Sequence, residues 1–486
     1  MAGHLDTVRA GELINGIARI PGPLIAASIL LVPLTALICA IPYGYLLPLV
    51  ILGITYVVWS YKRPEYVLGT IILLHILILE RSESISVPEI VFGLYFFGFV
   101  AFWFVRELLI RDTRIVRSSL DGFLLAFLAL CFVSIDLASS KDASALKGLR
   151  EFLTIATFLL YFPGRDVMKK KNGRYIVLAA YVILTVVLAA KNLINYRSSL
   201  NAATYTWEIL SGRKASNAHF FVATTIFSTA LFATLRTWRT RILVFGLLLF
   251  SVLALFVSFT RGFWLGTLLG LGVLFILFEK EPRWRLVRIG LVVSLLSAGL
   301  VYAMGGEIGT SVLQSLLRRF TSSEGAFTDI SFMNRIVESR AALAMFEKNP
   351  LVGNGFGATF HYFSLLTKTT FESWYIHNGY LFLLFKVGIL GTVLFLGFVY
   401  NLLKQGLIVS RKLGSVPVLR AAVRSVLGIM AAFMLIALTS DMFIEKQSLL
   451  IFVLSASLIS ALFLESETDE SLHAASDAGM LHHTEH

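Results

Sequence analysis

A chain of 486 residues that is 57% hydrophobic and only 15% charged, with a mean hydropathy of +0.79, lies far from the composition of a soluble domain. The formal charge of +12 is scattered over short loops and not massed on one surface, which argues against a nucleic-acid partner. Cys39 and Cys131 fall in separate apolar runs with no metal-ligand spacing, so they read as small packing groups.

Apolar runs near the ~20 residues needed to cross a bilayer recur along nearly the whole chain, and hydrocarbon admits only helices or a closed barrel. The runs are continuously apolar, so helices are expected. The fold class is all-α and polytopic, with about fourteen transmembrane helices: 23–41, 44–60, 65–80, 89–105, 121–138, 148–162, 174–191, 217–235, 242–257, 262–278, 286–304, 378–403, 421–440 and 447–464. Residues 1–22 carry Arg9 and Arg19 ahead of a run too long for a signal-peptide core, and are expected to remain as a cytoplasmic segment before a membrane domain spanning 23–464. The acidic, Ser-rich stretch 465–486 is expected to be a disordered cytoplasmic tail, its terminal histidines solvated.

Orientation follows from the cationic loops, which are retained on the cytoplasmic side. Lys62 and Arg63, then Arg106 to Arg117, Arg165 to Arg174, Arg236 to Arg241, Lys280 to Arg288, and Lys404 to Arg424 occupy alternate loops. These are placed inside with both termini. The opposite, extracytoplasmic face then holds a loop at 192–216, a tight turn at 258–261 and one long segment at 305–377, where function is expected to reside.

Within that segment, Ile308, Val312, Leu313, Leu316, Leu317 and Phe320 recur at helical spacing and suit an interfacial helix or an extension of the preceding span. A second helix is expected from about Ser331 to Asn349, stopped by Pro350, and it carries Asn334, Arg335, Glu338 and Arg340. The run Gly353-Asn354-Gly355-Phe356-Gly357 is either an ordinary tight turn or a place where backbone N–H groups approach a ligand. His377 stands at the mouth of a long span beside Trp374 and Tyr375. It is an interfacial residue or a proton acceptor for a sugar hydroxyl. Arg261 is planted by a very short turn at the edge of the hydrocarbon, where it either snorkels to lipid phosphate or grips a diphosphate with its planar fork. Arg213, with Lys214 and Asn217, extends the cationic basin.

These residues resemble the O-antigen ligase and polysaccharide polymerase superfamily of bacterial envelopes. The resemblance is carried by Ser258-Phe259-Thr260-Arg261-Gly262, Asn334-Arg335, Asn349-Pro350-Leu351-Val352-Gly353-Asn354-Gly355-Phe356-Gly357, and His377-Asn378-Gly379-Tyr380 running into Gly388-Ile389-Leu390-Gly391. It covers about 200–400, and Arg213 and Asn217 are similar to weaker family positions before that core. It implies a GT-C-like glycosyltransferase of the bacterial inner membrane that moves a glycan from an undecaprenyl diphosphate carrier to an acceptor sugar, without cofactor or metal. Arg261, Arg335 and His377 are the implied catalytic residues. Arg213, Asn217, Asn334, Gly353, Gly355 and Asn378 are implied to bind substrate. The acceptor is either a lipid A core, for a ligase, or a carrier-linked glycan, for a capsule, exopolysaccharide or O-antigen polymerase. A transporter or flippase is the competing class, but carriers place ionisable groups near the bilayer midplane, and here Lys386 is the exception in spans otherwise almost free of them.

Overall fold

The computed structural model describes residues 53, 55, 56, 58–60, 62–78, 86–139, 145–201, 217–304, 310, 312, 314, 317, 330–414 and 416–482. The chain divides into a unit ending at Pro64 and a unit beginning at Glu65. In the first unit the described residues between 53 and 62 are helical. The expected spans 23–41 and 44–60 lie almost wholly outside the described residues, as do most of the expected interfacial helix at 308–320 and all of the 202–216 stretch that includes Arg213.

The second unit is built of helices. In chain order they are α1 (Pro64–Ile78), α2 (Val87–Val105), α3 (Ser119–Ser139), α4 (Ala145–Ile155), α5 (Tyr161–Lys169), α6 (Lys171–Asn201), α7 (Ala218–Thr234), α8 (Trp238–Phe256), α9 (Arg261–Leu277), α10 (Lys280–Met304), α11 (Ile330–Phe346), α12 (Gly379–Lys412), α13 (Pro417–Ile436) and α14 (Lys446–His482). Among the described residues seven helices are long and apolar enough to cross a membrane, α2, α6, α8, α10, α12, α13 and α14, and four shorter apolar helices accompany them. Many large apolar side chains on these helices face outward, Leu243 on α8, Ile276 on α9 and Leu295 on α10 among them. Helices whose solvent is hydrocarbon need no polar outer face.

Two stretches differ from the sequence expectation. The expected span 148–162 is not one straight helix: α4 gives way to a tighter turn at Ala156–Leu160 and then to α5. α4 is amphipathic, with Lys147 and Leu149 exposed while Gly148 is buried, and Pro163 stands in the first turn of α5, where its missing N–H does least harm. At the other end, α14 continues as helix through His482, past residue 465 where a disordered tail is expected. Ala and Glu, each present three times between 465 and 482, are good helix formers, and the run adds turns to a helix already nucleated by its buried part.

Close packing of α9 on α13 is made by glycines one turn apart. A Cβ on Gly266 would stand 2.5 Å from Ile436 Cγ1 and 3.1 Å from the Ala432 carbonyl, and one on Gly270 would stand 2.8 Å from the Gly428 carbonyl. Small residues at this spacing let two backbones approach, which is how helices associate where no hydrophobic effect separates protein from lipid.

α12 is broken at Gly388, whose φ of 64° is not helical. In an unbroken helix Ile389 and Leu390 would donate to the carbonyls of Phe385 and Lys386. Instead the loop after α11 enters the ladder: Asn354 N donates to Phe385 O at 2.8 Å and Gly355 N to Lys386 O at 2.9 Å, while Ile389 N donates to Pro350 O at 2.9 Å and Leu390 N to Leu351 O at 3.1 Å. The carbonyls of Phe385 and Lys386 and the N–H groups of Ile389 and Leu390 are thereby satisfied again. From the opposite side the loop meets α4, where Gly357 N donates to Glu151 Oε2 at 3.1 Å and Lys386 Nζ reaches both Glu151 Oε2, at 2.7 Å, and Ala358 O, at 2.8 Å.

Candidate active site

α11 presents two residues one turn apart on its buried side, Asn334 and Glu338, with Arg335 half-buried beside them. Asn334 Oδ1 accepts from Leu365 N at 2.8 Å. That bond ties down the turn of an antiparallel hairpin, β1 (Phe360–Ser364) and β2 (Thr369–Ser373), which the sequence reading leaves without secondary structure. Burial, and then the Glu338 charge nearby, push the Tyr362 phenol of β1 above its ordinary range.

Glu338 itself is the partner of His377. His377 Nδ1 donates to Glu338 Oε2 at 2.8 Å. The glutamate side chain is 2% exposed and the imidazole 42% exposed, so one group is anchored inside and the other opens to its surroundings. Tyr375 meets the ring edge-on at 5.0 Å, and Ser373 closes the turn by donating to Tyr375 O at 2.9 Å. Asn378 is the cap of α12: its Oδ1 accepts from Leu381 N at 3.0 Å, which commits that side chain to the helix start.

Arg261 opens α9. The turn before it is held by Ser258, whose Oγ donates to Leu255 O at 2.6 Å, and by Phe259, which adopts φ 49°. Positive φ is strained for a phenylalanine, and burial sustains it here: Phe259 is enclosed and packs on Tyr196 at 5.8 Å.

Three separate stretches meet at the connection 437–445 between α13 and α14. Arg335 Nη1 donates to Thr439 O at 3.2 Å. A Cβ on Gly262, the residue after Arg261, would lie 2.8 Å from Thr439 Oγ1. Gly379, two residues after His377, donates its N–H to Ala437 O at 2.8 Å. Arg261, Arg335 and His377 therefore belong to one end of the bundle, around a connection that also buries Asp441.

The other expected positions are placed as follows. Asn217 adopts a left-handed conformation at the start of α7, and its Oδ1 accepts from Gln447 Nε2 of α14 at 3.0 Å. Gly353 and Gly355 are buried, with their N–H groups donated to Asn349 O and Lys386 O, both at 2.9 Å. In the fold these two residues help splice the loop into α12. The sequence places Glu338 on the expected helix of 331–349 without a role, and its spacing from Asn334 is the available signal. Thr439 and the Glu151–Lys386 pair had no local signature, because each depends on chain segments far apart in sequence.

Residues 243–396, about a third of the chain, match the family model described as O-antigen ligase. The matched stretch begins in α8, takes in Arg261, Arg335 and His377, and ends in α12 just past the break at Gly388. No curated protein matches the chain. Together with its multiple apolar helices, the match supports a place for this chain in the O-antigen ligase-related family.

Proposed function

We propose that this membrane protein is a glycosyltransferase that carries a glycan from an undecaprenyl diphosphate carrier to a sugar hydroxyl, in the manner of a ligase. The observation that carries the reading is the Glu338–His377 pair on segments that meet those of Arg261 and Arg335 at the connection 437–445. The word ligase in the description of the matching family supports that reading, with a lipid A core as acceptor, and a polymerase acting on a carrier-linked glycan is the alternative.

In this reading Glu338 holds Nδ1 as the protonated nitrogen, so Nε2 is the lone-pair site that takes the proton of the acceptor hydroxyl. The hydroxyl oxygen forms a bond to the anomeric carbon as the bond from that carbon to the diphosphate oxygen breaks, with inversion. The electron pair leaves on the carrier diphosphate. Arg261 and Arg335 bind that anion through their planar forks and stabilise the charge that grows on it, the service a divalent cation performs elsewhere. The site faces the extracytoplasmic side of a bacterial inner membrane, the side opposite the cationic loops.

The test uses purified full-length protein in lipid nanodiscs, a carrier-linked oligosaccharide and both classes of acceptor. A new glycosidic bond without nucleotide is expected, Arg261→Ala and Arg335→Ala are expected to lose it while still inserting, and the Lys variants to recover it only partly. Full activity in either Ala variant overturns the assigned role. Movement of intact lipid-linked sugar with no bond formed would place the chain among carriers.

A further inference from the structure

The opposite end of the bundle has a cavity of its own. α9 separates the two ends: Arg261 stands at its start and Phe278 follows its last residue, about 25 Å away by helix rise. Beyond Phe278 lies a cavity of about 460 Å³ between the ends of α7 and α9 and the starts of α8, α10 and α13. Arg236, Arg241, Arg285 and Arg420 line it. A second hollow adjoins it through the shared Arg241 and Arg285 and runs along α10, with Arg288 at its rim and Phe232, Ile289 and Val292 along its length.

The charges in this place do not balance. Two carboxylates, Glu279 and Glu281, face five guanidinium groups. Glu279 is already held by Arg424, whose Nη1 and Nη2 both reach it at 3.1 Å, and this bonding keeps its carboxyl below the ordinary range. Glu281 pairs with Arg285. Arg241 donates Nε to Leu235 O at 2.7 Å, which fixes its position while leaving its terminal nitrogens directed elsewhere. Arg236 has no hydrogen-bond or ion-pair partner among the described residues. The starts of α10 and α13, at Pro282 and Pro417, add the positive ends of two helices.

A cationic basin of this kind would attract any phosphate. The apolar hollow decides between sources. It begins at Arg285 and passes Ile289 and Val292 over about two helical turns, on spans that also carry exposed apolar side chains, Leu243 on α8 and Leu291 on α10. A free phosphate makes no use of it, whereas an acyl chain does. We propose that the arginine-lined cavity and its apolar extension bind one anionic glycerophospholipid, with the phosphodiester among Arg236, Arg241 and Arg285 and an acyl chain along Phe232, Ile289 and Val292. The site is separate from the transfer chemistry, so it stands or falls independently of that reading.

Native mass spectrometry of delipidated full-length protein tests it, by titration with phosphatidylglycerol, phosphatidylcholine and inorganic phosphate. One phosphatidylglycerol is expected to bind per chain, at least tenfold more tightly than phosphatidylcholine. Arg236→Gln with Arg241→Gln removes two of the three guanidinium groups assigned to the phosphodiester and is expected to weaken phosphatidylglycerol binding tenfold or more. Val292 is 46% exposed, and Val292→Trp fills the hollow from that outer position; it is expected to weaken lipid binding with the arginines intact, and it keeps the test open should the double variant fail to fold. Equal retention of the two lipids, undiminished binding by Val292→Trp, or displacement of phosphatidylglycerol by inorganic phosphate at matching concentration would each overturn the proposal.

Discussion

An imidazole with one nitrogen bonded to a buried carboxylate has a defined tautomer and a defined direction. His377 gains both from Glu338, at 2.8 Å. Replacing Glu338 by Gln keeps the volume but removes the charge that would stabilise an imidazolium, and it lets the ring flip tautomer. Loss of such a carboxylate costs a histidine base on the order of 10²-fold or more in turnover. Glu338→Gln is therefore expected to lower kcat at least 100-fold, while KM for the lipid donor changes little. Steady-state kinetics with donor and acceptor varied separately check this. A rise in donor KM at constant kcat would instead make Glu338 part of the donor pocket. At this scale the sequence shows its chemistry unevenly. His377, Arg261 and Arg335 are conspicuous because cationic or titratable groups at the edges of apolar runs have few structural excuses. Glu338 is one carboxylate among several until the fold sets it against the ring.

Among elements, the break in α12 holds the loop from α11 in place. Gly353 and Gly388 face each other at positive φ, and a Cβ on Gly388 would sit 2.3 Å from Leu351 O and 2.5 Å from Gly353 N. Both obstacles are backbone, so neither can swing away. Gly388→Ala is expected to destabilise the protein by more than about 2 kcal/mol and to uncouple the loop from the helix, as read by thermal unfolding in detergent. The neighbouring pair Lys386–Glu151 predicts a sharper pattern. Lys386→Met alone leaves a carboxylate buried without its cation, at a cost of about 3–5 kcal/mol, whereas adding Glu151→Gln is expected to restore much of the loss. If the double variant unfolds as early as the single one, the pair holds the loop by its hydrogen bonds to Gly357 and Ala358 and not by charge balance. The stop of α11 before Pro350 is legible in the sequence, because proline acts locally. The hairpin of β1 and β2 is not, since its strands are short and its turn is fastened by Asn334 from another element.

For the molecule as a whole, the cationic loops and the candidate site predict opposite membrane sides. Lys368 lies in the hairpin turn near the site, and Lys412 ends α12 at its far end. In a chain with Cys39 and Cys131 replaced, a cysteine at position 368 is expected to react with an impermeant maleimide applied to intact spheroplasts. One at position 412 is expected to react only after lysis. The reverse labelling would put the site in the cytoplasm and refute an extracytoplasmic transferase. The chain's apolar runs predict a helical membrane protein without reference to any contact, and seven described helices meet that description. Their subdivision is harder to foresee: 148–162 reads as one run yet folds as α4, a tight turn and α5.

The sequence by itself determines the solvent of this protein, the helical character of its spans and the residues whose charge is out of place in an apolar setting. These are properties of composition and of spacing within a turn or two. The tertiary structure alone decides which of those residues meet. Thr439, outside the family match, receives Arg335 and lies against the start of α9, and Glu338 reaches His377 across 39 positions. Contacts of that kind depend on where α11, α12 and α13 end in space, and no periodicity along the chain records it.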